Sequence, residues 1–388
     1  MTAPINTNLS AEDAGLSAAL EGDEQQRAEL ASHPDLSNEM QNKLLQDKEE
    51  SVLVALASNP SLLEEGQEKL AITGSPAVRE ALAANPSLNE QQQNYLTMTG
   101  SDEVKCHLAK NPSLIVAIQS LFSVDITLGI REALAENPSL DKSCQPKLME
   151  DSDEYRQQIV YTMMPLASNP ALAKELHARL AENEDNRIVA SLAKNPSIPD
   201  ALMKHFAASD IDEIRAGLAC NTSLPESLQA RLIAGSSNFV RENIARNSAL
   251  KIAQQAQLAH VGNVDVRLAL LDNPSLDEQI RMRVAASFTN CDLSSAEIKL
   301  EYAENESTSL FNKHHDALQK CINSYGGIFP SSEKKIAQLD RDADRIQKDI
   351  TKVDREINAL ENKCRKIKAL LKQQAMTLPE KTEFLTLA

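Results

Sequence analysis

Polar Asn-Pro pairs interrupt this chain at a fixed interval, and apolar residues hold a fixed phase around them. Asn59, Asn85, Asn111, Asn137, Asn169, Asn195 and Asn273 each precede a proline. His33-Pro34 occupies the same place ahead of them, and Asn221 and Asn247 keep the asparagine but lose the proline. Successive steps are 26 residues, except for 32 between Asn137 and Asn169, an insertion of six. That makes ten repeats, five on each side of the insertion.

Positions below are counted from the asparagine. Position −7 is aliphatic (Val52, Val78, Val104, Ile130, Ile188, Ile214, Val240, Val266), −3 is Leu or Ile, and −2 is almost always Ala. Positions +3 (Leu62, Leu88, Leu114) and +11 (Leu70, Leu96, Phe122) are apolar in every repeat. Spacings of four and eight residues mark one face of a helix, so each repeat reads as two short helices. The first, such as 76–84, has Ser75 as N-cap and Pro76 in its first turn, both favourable there. Asn-Pro ends it, because proline disfavours helical geometry in the residue before it. The second helix, such as 88–97, starts near Ser87. It closes at Gly74, Gly100 or Gly262 in the neighbouring repeats, where a left-handed C-cap is expected.

One helix pair cannot bury its apolar face alone, so the pairs must stack into an all-α solenoid. An asparagine recurring at one place suits a structural ladder that satisfies backbone groups at the turn. Composition agrees: aromatics are 3%, glycine is 11 of 388 residues and tryptophan is absent. An aliphatic core of helices follows rather than sheets.

The register V-R-x-A-L-A-x-N-P-S-L, seen in Val78–Leu88 and Ile130–Leu140, resembles the leucine-rich repeat variant family over roughly residues 23–287. The resemblance implies a right-handed, HEAT-like helical superhelix in which one helix of each repeat is short, or even 3₁₀. Repeats of that family are usually a little shorter than 26 residues. Some members bind an iron–sulfur cluster through N-terminal cysteines; here no Cys precedes Cys106, and no cofactor is expected.

The domain reading is a cap at 1–30, the solenoid at 31–290 with its insertion near 150–161, a helix at 291–328, a coiled-coil helix at 329–375 and a tail at 376–388. Pro165 falls inside the helix after the insertion, where a kink is expected; a surface insertion and a hinge both fit. Ser294 and Glu297 form a capping box for the post-repeat helix, and Gly326-Gly327 stops it. After it, Ile336, Leu339, Ala343, Ile346, Ile350, Val353, Ile357, Leu360, Cys364, Ile367 and Leu371 alternate in steps of three and four. That is a coiled-coil seam about 54 Å long. A parallel homodimer would set Asp349 against Asp354, Glu356 against Glu361 and Lys363 against Lys368, which repel. Antiparallel pairing is therefore expected, with the preceding helix, a second copy or another protein as partner.

The formal charge of −16 is uneven: residues 331–372 carry +4 and the rest −20. The six cysteines lie far apart without a C-x-x-C pair, so zinc and iron–sulfur sites lack their signature. No catalytic motif occurs, and His314-His315-Asp316 reads as a solvated face rather than a metal site. No signal peptide and no run long enough to cross a membrane is seen, so a cytoplasmic setting is expected. The sharpest candidate binding feature is a cationic row at −6: Arg79, Lys105, Arg131, Arg215, Arg241 and Arg267, broken at Met163 and Val189. These side chains either bind a ligand or pair with acids such as Glu80, Glu132, Glu242 and Asp265. The expected function is a non-enzymatic protein–protein scaffold that binds a partner along the solenoid and docks or oligomerises through the coiled coil. The alternative is nucleic-acid binding through the Arg/Lys ladder, against the global charge.

Overall fold

The computed structural model describes residues 20–150, 159–326 and 333–377, apart from the side chains of 318, 321–326, 333–340, 343 and 375–377. Among them are 22 helices and no strand. The chain divides into two compact units, Met1–Leu232 and Ile233–Ala388. The first holds most of the repeats. The second holds the last repeats together with the hairpin that follows them. The insertion lies almost wholly in 151–158, outside the described residues.

Each repeat has the two-helix form its spacing predicts. Pro76–Ala84 is a first helix, with the Ser75 hydroxyl accepting from Val78 N–H and Pro76 in the first turn. Glu90–Thr99 is the second, capped by Asn89, whose carboxamide accepts from Gln92 N–H at 2.9 Å. It therefore starts two residues later than the sequence suggests. The cause is local: Ser87 N–H donates to the Asn85 side chain and Leu88 N–H to the Asn85 carbonyl, so these residues close a turn before any helix starts. Both helices of the repeat are α rather than 3₁₀ in the described residues.

The helix-closing glycines are not left-handed. Gly74, Gly100 and Gly262 have φ of −66°, −72° and −74°. Close approach requires them instead. A Cβ on Gly74 would lie 2.4 Å from the Leu70 carbonyl oxygen and 2.8 Å from Val78 Cγ1. Gly217 is small for a second reason: its Cβ would meet the Ala190 carbonyl oxygen at 2.1 Å. The first helices Asn186–Lys194 and Asp212–Ala219 press together there.

The core is the stack of phased aliphatics. Val52, Val78, Val104 and Ile130 at −7, the leucines at −3 and the alanines at −2 are buried, as are the apolar residues at +3 and +11. Each leucine so buried contributes about 1.5–3 kcal/mol. At Thr162 the −7 position is a buried hydroxyl without a hydrogen-bond partner.

Two polar ladders fasten the repeats. In the first, Asn85 Nδ2 donates to the Ala57 carbonyl at 2.7 Å and to the Asn59 carbonyl at 2.8 Å, while its Oδ1 accepts from Ser87 N–H. Asn59, Asn111, Asn137, Asn169, Asn195 and Asn221 repeat this pattern in the first unit, and Asn273 does so in the second. Asn221 makes these bonds without a following proline, so the carboxamide rather than the ring holds the turn.

The second ladder is a buried glutamine at +8. Gln93 Nε2 donates to the Leu88 and Ser113 carbonyls, and its Oε1 accepts from Ile115 N–H at 2.9 Å. Gln41, Gln67, Gln119 and Gln145 do the same, and Gln255 does so in the second unit. The glutamine is replaced by His177 and Met203, and in the repeats that follow these two the position whose N–H would donate to it is Pro199 and Pro225. A proline has no N–H to satisfy, so the acceptor is dispensable at both places. Both ladders run past the insertion: Asn169 bonds to Ala135 and Asn137, and Gln145 to Ala171 and Ala173. The repeat register thus survives the six extra residues.

The second unit ends the array by its own device. No asparagine follows Asn273 to meet the carbonyls of Leu271 and Asn273. Arg281, standing at the glutamine position, donates to both, at 2.9 and 3.2 Å. Its guanidinium does the work of the missing carboxamide. Leu271 also replaces the usual alanine, since no further repeat needs close approach there.

Beyond it, Asn290–Gly326 and Glu333–Thr377 pair as an antiparallel hairpin. The expected capping box at Ser294 and Glu297 is absent, because the helix begins earlier. Thr289 and Asp292 form it instead, Thr289 N–H donating to Asp292 and Asp292 N–H to Thr289. Glu297 meets Lys368 at 2.9 Å and Ser307 meets Asp354 at 2.9 Å, which fixes the antiparallel register.

Candidate interaction surfaces

The asparagine row is no ligand site, since both polar atoms of each side chain are committed to backbone. The cationic row splits in two. In the first unit, Arg131 donates to the Asp125 carbonyl, and Arg215 to the Ser209 carbonyl at 3.1 Å and to Asp212. In the second, Arg241 donates to the Ile233 carbonyl at 2.8 Å. These cations close the carboxyl ends of the preceding second helices, where negative partial charge collects. Arg267 turns to Ser287 and Asp292, with its guanidinium 4.8 Å from the Phe288 ring centre. The four are thus held mainly by carbonyls and by Asp212 and Asp292, and not by the acids the sequence suggested. Arg27, at −6 from His33 in the first repeat, belongs to the same row and pairs with Asp47 at 2.6 Å.

Arg79 and Lys105 differ. Neither side chain makes a hydrogen bond or ion pair; the buried Nε without an acceptor at Arg79 is shared by Arg215 and Arg267 and does not set it apart. Because Arg131 reaches Asp125, the row at −6 adjoins the residues at +13 and +14 of the preceding repeat. At +13 stand Ile72, Met98 and Val124, each exposed, Met98 by 86%. Ile126, 91% exposed, and Leu121 lie beside Val124 in sequence. Most of the exposed large apolar residues described in the first unit therefore gather at the carboxyl ends of three consecutive second helices. Sequence reasoning passed over this row. Its signal was available: +13 is Gln46, Glu150, Glu182, Ala208, Ala234, His260 or Ala286 in the other repeats, and a large apolar residue on three successive ones is a departure.

In the second unit the seam is covered by the chain's own helix. Ile350, Val353, Cys364 and Ile367 are buried, while Ile346, Ile357, Leu360 and Leu371 are half-buried. The side chains of Ile336 and Leu339 lie outside those described. The facing helix supplies a matching seam of Leu293, Ala296, Leu300, Ala303, Ser307, Leu310 and His314, all less exposed than their neighbours. Small residues there oppose large ones here. His314 sits in this seam while His315 and Asp316 point to solvent, and no group suited to a metal occurs among the described residues. Burial, and then Glu297, pushes the Cys364 thiol pKa up, as fits a core thiol.

The basic end of the helix is also engaged. Lys363 pairs with Asp265, and Lys366 with Asp272 at 2.6 Å. Gln374 donates to the Ala285 and Phe288 carbonyls. A cleft of about 570 Å³ beside it is lined by Leu271, Met282, Ala285 and Leu370, with Arg281 and Glu278. Burial, and then Asp265, raises the pKa of the Glu242 carboxyl next to this contact.

No family model matches the chain, and no curated protein matches it in sequence. No described helix is long and apolar enough to cross a membrane.

Proposed function

We propose that this chain is a non-enzymatic interaction protein that holds a partner polypeptide on the apolar edge of its early repeats. The observation that carries this reading is the alignment of Ile72, Met98 and Val124 at one repeat position, exposed on a frame locked by two hydrogen-bond ladders. Exposed apolar patches of this kind mark interaction sites, and stacked repeats give them length. The hairpin closes the array and spends its seam within the chain, leaving its outer face for docking. The register of the repeats supports placing the chain beside the leucine-rich repeat variant proteins. Four of the six predicted cations are committed to the protein's own groups, so the row adds nothing to a nucleic-acid reading.

The test is the triple variant I72E/M98E/V124E. All three side chains are exposed, so its unfolding curve should match the parent while capture of the partner is lost. A variant that folds and captures as well as the parent would overturn the reading.

A further inference from the structure

The hairpin of the second unit has two flanks, and they differ. On one, Lys363 and Lys366 pair with Asp265 and Asp272 of the last repeats, so this flank rests on the chain itself. Asp354 stands nine residues before Lys363, about half a turn round the helix, and marks the other flank. There a groove of about 440 Å³ lies between the two helices. Its walls are Glu304, Ser307, Thr308 and Phe311 on Asn290–Gly326, and Ile350, Asp354 and Ile357 on Glu333–Thr377. The first four stand at i, i+3, i+4 and i+7. Four residues so placed form the hole that receives one side chain of a facing helix in coiled-coil packing. Leu293 and Leu300 hold the heptad place of Ser307, and the smaller serine opens the hole between Ile350 and Ile357. Phe311, 63% exposed, forms its rim.

The groove is acidic as well. Among the described residues Glu304 has no ion pair, and the Asp354 carboxylate meets the Ser307 hydroxyl alone. No described lysine or arginine lines the groove. A second copy is a poor occupant, since a two-fold contact sets one face against itself and would bring these carboxylates together.

We propose that this groove receives a third helix from a partner protein, amphipathic and basic, with apolar side chains entering the hole and lysine or arginine beside them. An apolar helix face laid into a groove is a recurring mode of recognition, and a third helix covers Phe311 and Ile357. The cations beside its seam meet Glu304 and Asp354, as the flanking charges of a coiled coil do in choosing its partner. The site is separate from the edge at 72–124, and neither reading depends on the other.

The experiment is fluorescence anisotropy with the full chain and a labelled helical peptide, kept too dilute to pair with itself. The peptide carries leucine at a and d of its heptads and lysine at e and g. One control has glutamate for lysine; the other has the same composition with the leucines at alternate positions. The lysine peptide should bind best. F311D should weaken it by about tenfold or more, as loss of an aromatic anchor does. E304K exchanges an attraction for a repulsion and should weaken it by about three- to tenfold, while improving binding of the glutamate peptide. Phe311 is exposed and Glu304 unpaired, so unfolding curves of both variants should match the parent.

Equal binding of the glutamate peptide overturns the basic assignment, and equal binding of the alternating peptide overturns the helical one. Binding unmoved by F311D and E304K lies elsewhere and overturns the site, as does failure of all three peptides. Light scattering completes the test: a parent dimer that F311D turns into a monomer assigns the groove to a second copy and overturns the proposal. The edge at 72–124 is judged separately, by partner capture with I72E/M98E/V124E.

Discussion

The side-chain amide of Asn111 donates to the backbone carbonyl of Asn85 at 2.8 Å. The same nitrogen reaches Ala83, and Asn111 Oδ1 accepts from Ser113 N–H. One side chain thus satisfies two carbonyls of the previous repeat and an N–H of its own turn.

Asn111→Ala would strand the Ala83 carbonyl and the Ser113 N–H, and would take one of two bonds from the Asn85 carbonyl, which keeps Leu88 N–H. Each unsatisfied group costs about 1–3 kcal/mol, so urea unfolding should show a loss of about 3 kcal/mol or more. A loss below about 1 kcal/mol, the scale of an ordinary surface change, would deny the ladder its role.

Arg281 ends that ladder, so Arg281→Ala should destabilise the second unit by about 1–3 kcal/mol. Arg281→Lys should recover part of this, since an ammonium reaches one carbonyl more readily than two. Limited proteolysis that finds the last repeats equally resistant in all three proteins would count against the capping role.

Thr162 buries a hydroxyl with no partner at a position that is aliphatic in eight of the other nine repeats. Thr162→Val keeps the shape and removes the unmet polar group, and should raise stability by about 1 kcal/mol. A drop in melting temperature would show that the hydroxyl is bonded after all.

His177 replaces a ladder glutamine, and its Nε2 is buried without a partner. Burial holds its pKa below the ordinary histidine value, so the folded state keeps it neutral while the unfolded chain protonates. Stability from this site is therefore present above the ordinary value and is lost as pH falls through it. Between about pH 7 and pH 5, spanning the ordinary value of about 6.5, His177→Met should lose less stability than the parent. Met203 fills the same position in the next repeat, so the substitution has a native precedent. Parallel losses in the two proteins would exclude His177 as the cause.

Most of the fold was legible because the repeat multiplies each signal. Val78, Leu82 and Leu88 mean little alone, but the same phase ten times over leaves one architecture. What escaped were features present only once or decided by neighbours. Gly74 looked like a left-handed cap, yet the approach of the Leu70 carbonyl and Val78 is what excludes a side chain. Glu297 looked like a capping residue until Thr289 and Asp292 took that place and Lys368 claimed it. The cations at −6 showed as a row, but whether each was free depended on a carbonyl within reach. Arg131 finds Asp125, while Arg79, in the same phase, finds nothing.

The central claim is that a partner sits on the carboxyl ends of the early second helices. Site-specific photo-crosslinking tests it most directly, with the reactive side chain at Met98 and, as controls, at Glu64 and Glu90 on the amino ends of the same helix set. The account predicts a discrete polypeptide adduct from position 98 that disappears in the background of I72E and V124E, and none from 64 or 90. Adducts of equal yield from 64 and 90, or none from 98, would contradict it.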